Sequence, residues 1–310
     1  MAAKVKVNNS RLEMDRRSIW QKVSGYGILL VLSTIWGIAF VAIRRADFEL
    51  SPINLALLRW FVASAGFLVI APFIGKPKTK LERKDLPRLL VISLLNVPFY
   101  HLSLNFAEKT VSSGLAGFLT SLGPIFIAIF SAYFLKEKIG RRLILALTLG
   151  IIGALVLSFP DLRFGSGESI VGPLEVVLAA LSFATFSVLS KPLVHKYGSA
   201  TVTILAGLTG TIMLLPLFSP NFVTEVATLS ITGWFSILYL SLLSTVVGYL
   251  MFYTLVSRGA MSRLSIQLYL IPVISVVGGI LLLHESLTVS TIIGGAILLL
   301  SIAFATISRN

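Results

Sequence analysis

The sequence predicts an all-α polytopic membrane protein: ten transmembrane helices, arranged as two inverted five-helix repeats around a central cavity. Three observations lead there. Only 13% of the residues are charged while 56% are hydrophobic, and the mean hydropathy is +0.92. Soluble domains carry about 25% charged residues, so this composition cannot build a water-facing surface. Apolar runs of about 20 residues, enough to cross about 30 Å of hydrocarbon as helix, recur from Gly25 to Ile307. Two of these runs share one plan. Pro124 and Pro272 stand 148 residues apart, and so do Glu137 and Glu285.

The elements follow in order. Residues 1–24 read as a cytoplasmic tail carrying Lys4, Lys6, Arg11, Arg16, Arg17 and Lys22. Two readings of it stay open, a segment lying on anionic headgroups and a disordered tail. No secretory signal is expected, because the first apolar run follows about 24 polar residues and is too long for a signal core. The ten expected spans are 25–43, 53–74, 86–106, 112–135, 143–159, 173–194, 200–218, 231–256, 261–283 and 289–307. Pro77, Pro160 and Pro220 fall in the short connections, where a missing amide donor does little harm. The Gly- and Ser-rich loop 161–172 divides a first repeat, 25–160, from a second, 173–307. Residues 308–310 form a cytoplasmic C-terminus.

Loop charge sets the orientation. The connections on the N-terminal side hold 21 Lys and Arg, the opposite side holds 4, and Arg59 lies inside a span. This split places both termini in the cytoplasm of a cell-membrane protein. Five spans per repeat is an odd number, so the second repeat enters the membrane the other way up. Glu137 then sits in a basic cytoplasmic loop and Glu285 in an external loop without Lys or Arg. Inverted repeats recur in secondary transporters, with the substrate site near the midplane between the halves.

The formal net charge of +13 has the same origin as the loop bias. It predicts no nucleic acid partner, since no aromatic-basic motif accompanies it. The chain has no Cys, which excludes disulfides, thiolate catalysis and Cys-metal sites. No cofactor, metal site or catalytic residue is expected. The partners expected are a small-molecule substrate and the lipid bilayer, with the chain a monomer or, through glycine clusters in spans five and ten, a homodimer.

Two segments carry a resemblance. EKTVSSGLAGFLTSLGPIFIAIFSAYFLKEKI (108–139) resembles the end of the EamA repeat of the drug/metabolite transporter superfamily. That pattern has a Thr/Ser-Ser/Ala helix start, a mid-helix proline and a closing acidic residue. SRGAMSRLSIQLYLIPVISVVGGILLLHESLT (257–288) resembles the second copy. Trp36-Gly37 fits the family's Trp-Gly pattern and Gly172-Pro-Leu-Glu175 resembles the opening of its sixth span; Thr185 and Phe186 replace Trp-Gly in the second copy. The resemblance implies an exporter or exchanger of small metabolites, such as amino acids, or of amphipathic compounds. It also implies a cavity lined by spans one to four and six to nine, with spans five and ten peripheral.

Candidate pathway residues are those whose polarity conflicts with an apolar span. Arg59 is the sharpest, because a charge at a helix centre costs about 2.5–3.5 kcal/mol on insertion scales. Its guanidinium suits a substrate carboxylate or phosphate. The competing reading is outward snorkelling to the membrane surface, and a pairing with Glu175 is a third. Span three offers Asn96, Tyr100 and His101, the last either a proton acceptor or a ring satisfied by a neighbouring carbonyl. Span eight offers Ser244, Thr245, Tyr249 and Tyr253, the two tyrosines facing either the cavity or an interfacial belt, which suits Tyr253 better. Trp36 faces the cavity, the partner half or lipid, and Thr185 occupies the corresponding part of span six. Ser121 precedes Pro124, while Gln267 and Tyr269 precede Pro272. Both prolines are expected to kink their helices and free a backbone carbonyl. Glu137 and Glu285 are expected to tie loops to neighbouring spans.

Two other function classes compete with a transporter. A membrane-embedded enzyme acting on lipid-linked substrates would need acids, histidines or metal ligands clustered at one depth, and His101, His195 and His284 are scattered. A channel or sensor would need a ring of like pore-lining groups or an added domain. No Walker-type phosphate loop appears, which points away from direct use of ATP.

Overall fold

Ser51-Pro52 shows how this chain fixes a helix start: Ser51 is extended, and Pro52 opens the helix where its missing amide costs nothing. The computed structural model describes residues 27–73, 79–111, 113–158, 171–258, 270–284 and 289–307. All regular structure in them is helical. The helices are α1 (Gly27–Ala46), α2 (Pro52–Phe73), α3 (Arg83–Glu108), α5 (Arg141–Ser158), α6 (Val171–Tyr197), α7 (Ser199–Leu217), the short α8 (Phe222–Ala227), α9 (Ile231–Arg258), α10 (Leu270–Leu283) and α11 (Val289–Ile307). Between α3 and α5, α4 runs in two parts, Ser113–Leu119 and Gly123–Phe134, joined by a tight turn at Thr120–Leu122. Six helices, α1, α2, α3, α6, α7 and α9, are long and apolar enough to cross a membrane by length and composition. Expected residues 1–24, loop 161–172 apart from its last two positions, and 308–310 lie outside the described residues.

The exterior is apolar. Phe73, Val69, Leu178, Phe235 and Leu281 are each more than half exposed, on a scale that a water-soluble surface does not sustain. The polar residues have gone inside instead, with Arg59, Asn96, His101, Ser244 and Thr245 all buried. This inversion is what a hydrocarbon solvent demands, because backbone and polar groups must be satisfied within the bundle.

Helices of the two halves interleave. α2 packs on α9, α3 on α7, and the second part of α4 on α6, while α5 and α11 pack chiefly on each other at the edge. The shift of 148 residues seen in the sequence runs through these elements. Arg141 and Val289 begin α5 and α11, and Arg83 and Ile231 begin the helical turns that lead α3 and α9. Lys136 and His284, again 148 apart, hold left-handed backbones with φ of 55° and 56° just past the ends of α4 and α10. Gly198 makes the sharp turn from α6 to α7 at φ 92°, a conformation that side chains rarely tolerate.

Both central helices α3 and α9 widen into π-helical turns, at Leu95–Phe99 and Tyr239–Val247. In α3 the cause is Pro98, which the sequence reading did not single out. Its ring removes a backbone donor; the Leu95 carbonyl accepts from the Tyr100 amide across the wide turn and also from the Ser182 hydroxyl of α6 at 2.8 Å. Such widened turns commonly lie at functional sites.

Candidate functional site: a cavity between the two halves

Arg59 sits about two turns into α2 and is 3% exposed. It does not snorkel outward. Its Nε donates to Thr245 Oγ1 at 3.0 Å and its Nη2 to Ser244 Oγ at 3.3 Å, both on the widened turn of α9. Thr245 spends its own proton on the Leu240 carbonyl at 2.8 Å, so its lone pairs are left to face the guanidinium. Trp36 on α1 donates Nε1 to the Ser244 carbonyl at 3.0 Å. One dipeptide of α9 therefore positions two side chains from α1 and α2. Among the described residues Nη1 of Arg59 has no hydrogen-bond acceptor, and Glu175 is not a partner of this arginine.

The guanidinium looks into a cavity of about 60 Å³, room for several waters. Trp36, Tyr100, Phe183 and Tyr249 supply most of its aromatic wall, and Thr120, Pro124 and Pro272 close it from α4 and α10. The rings contact one another: Trp36 meets Phe183 at 5.7 Å and Tyr249 at 5.8 Å, and Tyr100 meets Phe183 at 5.8 Å, between ring centres. The two Trp36 pairs are edge-to-face and the Tyr100–Phe183 pair is tilted, contacts that stiffen a pocket while leaving it apolar. The site is thus one cationic fork on an aromatic box. It can hold an anionic group bidentately and an apolar or aromatic body beside it.

The expected residues separate here. Trp36, Arg59, Tyr100, Tyr249, Pro124 and Pro272 line the cavity. Asn96 is buried in the widened turn of α3 and is not part of the lining. His101 is packed edge-on between Trp60 (5.2 Å) and Tyr100 (4.9 Å), behind the wall. Among the described residues neither of its ring nitrogens has a hydrogen-bond partner, and no neighbouring carbonyl accepts from it there. Thr185 donates to its own helix at the Leu181 carbonyl, 2.8 Å away. Tyr253 is fully buried rather than part of a surface belt. Glu137 pairs with Lys191 of α6 at 2.7 Å. The side chain of Ser121, and the residues Gln267, Tyr269 and Glu285, lie outside the described residues.

Pro124 starts a fresh helix after the turn at Thr120–Leu122. Thr120 donates its hydroxyl to the carbonyls of Ala116 and Gly117 at 2.8 and 2.7 Å, tying down the end of the preceding segment. Pro272 lies in the first turn of α10 as far as that helix is described.

Sequence reasoning missed Phe183, Gly117 and Ala180. At the shift of 148 Trp36 corresponds to Ala184 rather than to the Thr185 set against it above, and Phe183 stands next to that position.

At one end of the bundle the α1–α2 turn gathers charge. Asp47 is 6% exposed, and burial pushes its carboxyl up to about 7 against the pull of Lys109 and Arg44. Lys109 donates to the carbonyls of Asp47 and, at 3.0 Å, Leu50, while Arg44 donates to the Glu108 carbonyl. Glu49 differs. Burial works to raise it, but bonds from Ser230 and Arg45 outweigh that and hold it below the usual range.

An all-helical bundle with an apolar exterior, enclosing a cation-bearing cavity between two similar halves, belongs to the class of membrane transporters. The EamA-like transporter family matches residues 23–159 and again 170–307. The chain belongs to that family, whose members are transporters and not enzymes. It is 35% identical over 275 residues to an uncharacterized transporter of Archaeoglobus fulgidus, covering 89% of this chain and 96% of that protein. It is 30% identical to a probable terminal-alkyne amino-acid exporter of Streptantibioticus cattleyicolor, covering 86% and 89%. It is 26% identical to a probable amino-acid metabolite efflux pump of Escherichia coli, covering 88% and 92%. A solved crystal structure shares the fold with a TM-score of 0.71 over 92% of this chain and 97% of that one, at 19% identity.

Proposed function

We propose that this protein is a secondary transporter of the cell membrane that exports or exchanges a small carboxylate-bearing metabolite, an amino acid or a related amphipathic compound. Arg59 anchors the anionic group and the aromatic box of Trp36, Tyr100, Phe183 and Tyr249 receives the rest. The observation that carries this reading is the Arg59 guanidinium, held by the opposite half and lining the cavity between the halves. A buried cation costs several kcal/mol. Its direct hydrogen-bond partners are two neutral hydroxyls, with the buried Glu108 the acid that acts on it electrostatically, and an anion in the cavity would add a direct partner. The names of the amino-acid exporter and efflux pump among the relatives favour the same substrate class.

The architecture we infer is ten spans in two five-helix repeats of opposite orientation, 25–160 and 173–307, with both termini cytoplasmic. The recurrence of helix starts and left-handed positions at a shift of 148 supports it, as does the loop charge. Transport then proceeds by alternating access about the cavity. The test is flux in proteoliposomes against a metabolite panel, with and without a pH gradient. Folded protein that moves no solute sinks the reading.

A further inference from the structure

Two clusters of polar contacts clamp the bundle at its opposite ends. Glu49, in the turn between α1 and α2, accepts from the Ser230 amide at 2.7 Å and the Ser230 hydroxyl at 2.7 Å. Arg45 pairs with Glu49 at 2.7 Å and donates to Thr232 at 2.5 Å. The Ser51 backbone amide donates a hydrogen bond to the Glu225 carboxylate at 2.8 Å. This cluster joins the first half to the connection that leads into α9.

The second cluster lies beyond the other end of α2, a helix about 33 Å long at 1.5 Å per residue. Tyr197, at the turn between α6 and α7, accepts from the Glu82 amide at 3.2 Å and donates to Asp85 at 2.5 Å. Lys196 pairs with Glu82 and with Asp85, each at 2.6 Å. This cluster joins the second half to the connection that leads into α3.

The two clusters are the same contact made twice. Glu49 and Tyr197 stand 148 positions apart, and so do Glu82 and Ser230. In each, the backbone amide of the residue capping a central helical run donates to a side chain on the turn between the first two helices of the other half. The cavity that holds Arg59 lies between them, and both are closed in this structure.

We propose that these clusters are the two latches of alternating access: Glu49 with Arg45, Ser230 and Thr232 on one face, and Lys196 and Tyr197 with Glu82 and Asp85 on the other. The inference rests on the transporter reading above and adds the device that enforces one open face at a time. Each latch couples a turn of one half to the entry of a widened central helix, α9 or α3, of the other. Releasing one frees that helix entry at one face only, and the intact latch opposite keeps the cavity sealed. The two faces use different chemistry. One carboxylate gathers neutral donors and one arginine on the Glu49 face, while one lysine bridges two carboxylates on the Lys196 face. Ionic strength therefore weakens the second latch more than the first.

The chain has no cysteine, so single reporters can be placed without removing native thiols. Cysteine at Ala39 or Ala180, which line the cavity, is labelled with a membrane-impermeant maleimide from each side of oriented vesicles. Glu49→Ala is expected to raise labelling from the α1–α2 face about tenfold, the order set by losing a charge-assisted bond network. Lys196→Ala should raise it from the opposite face and leave the first unchanged. Glu49→Gln and Tyr197→Phe are the milder variants, used where the alanine variants do not fold. The double change Lys196→Glu with Glu82→Lys should return labelling toward the parent level. Equal labelling from both faces in each single variant, or no change in any, overturns the proposal. The readout needs no substrate: one-sided labelling without flux would defeat the transport reading and leave the latches, while flux with unchanged labelling would do the reverse.

Discussion

Arg59 and Thr245 lie 186 residues apart in the chain and 3.0 Å apart in space. The bond crosses from one half to the other at the wall of the cavity. Because the Thr245 proton is committed to Leu240, the hydroxyl can only accept from the arginine. Thr245→Val keeps the shape and removes that acceptor. It should raise the KM for an anionic substrate severalfold with a smaller change in kcat, and should lower stability in detergent by about 1–3 kcal/mol, the cost of a buried donor left unpaired. A variant with parent KM and parent stability would mean that the bond positions nothing.

Close helix approach at Gly210 gives a stability prediction. A Cβ there would collide with the Val97 side chain and stand 2.9 Å from the Ser93 carbonyl of α3. Gly210→Ala should destabilise by about 1–3 kcal/mol, as overpacking does. Gly295 in α11 has nothing within 4 Å of the same position. Gly295→Ala should be neutral or stabilising by up to about 1 kcal/mol, through helix propensity. Thermal unfolding in one detergent compares the two directly, and a reversed order would contradict the packing of α3 on α7.

Asp47 predicts a pH dependence of opposite sign to a carboxylate held low by its partners, because burial outweighs the Lys109 ammonium 3.8 Å from its Oδ1. Its folded pKa of about 7 lies above the ordinary value of 3.8. The native state therefore binds more protons between those values, and stability falls as pH rises through that window. Between pH 6 and pH 8 the loss from this group is about 1 kcal/mol. Asp47→Asn should flatten the difference in thermal midpoint between those two pH values. An unchanged slope in the variant would assign the dependence to other groups.

Sidedness follows from the inverted second repeat. A single cysteine in place of Ser286 should react with an impermeant reagent added outside, and one in place of Lys138 only with reagent admitted to the cytoplasmic side. Labelling of both from the same side would remove the inversion.

How far the fold was legible depended on which signals survive in a hydrocarbon solvent. Helix positions were readable because run length, Pro52 and the loop charges do not depend on which face is buried. The repeat was readable from Pro124, Pro272, Glu137 and Glu285 alone. Arg59 stood out because a charge in an apolar run has few explanations. Phe183 and Ala180 gave no such sign. Lipid-facing and core-facing positions are both apolar here, so the periodicity that marks a buried face in water is erased; Phe183 borders the cavity, while Phe235 on α9 is exposed. Tyr253 shows the same ambiguity, since an aromatic near a span end suits both a surface belt and a core. The widened turn at Pro98 was concealed for another reason, because the α6 contact that packs on it comes from Ser182, 87 residues from the Leu95 carbonyl that accepts its hydroxyl.

The central claim is that Arg59 binds the anionic group of a transported solute. The most direct measurement is flux of carboxylate-bearing metabolites through purified protein in proteoliposomes, comparing the parent chain with Arg59→Ala and Arg59→Lys at matched folding. The account predicts flux in the parent, loss of about a hundredfold or more in Arg59→Ala on the scale of a lost charge-assisted pair, and partial retention in Arg59→Lys. Full transport of an anionic substrate by Arg59→Ala would contradict it.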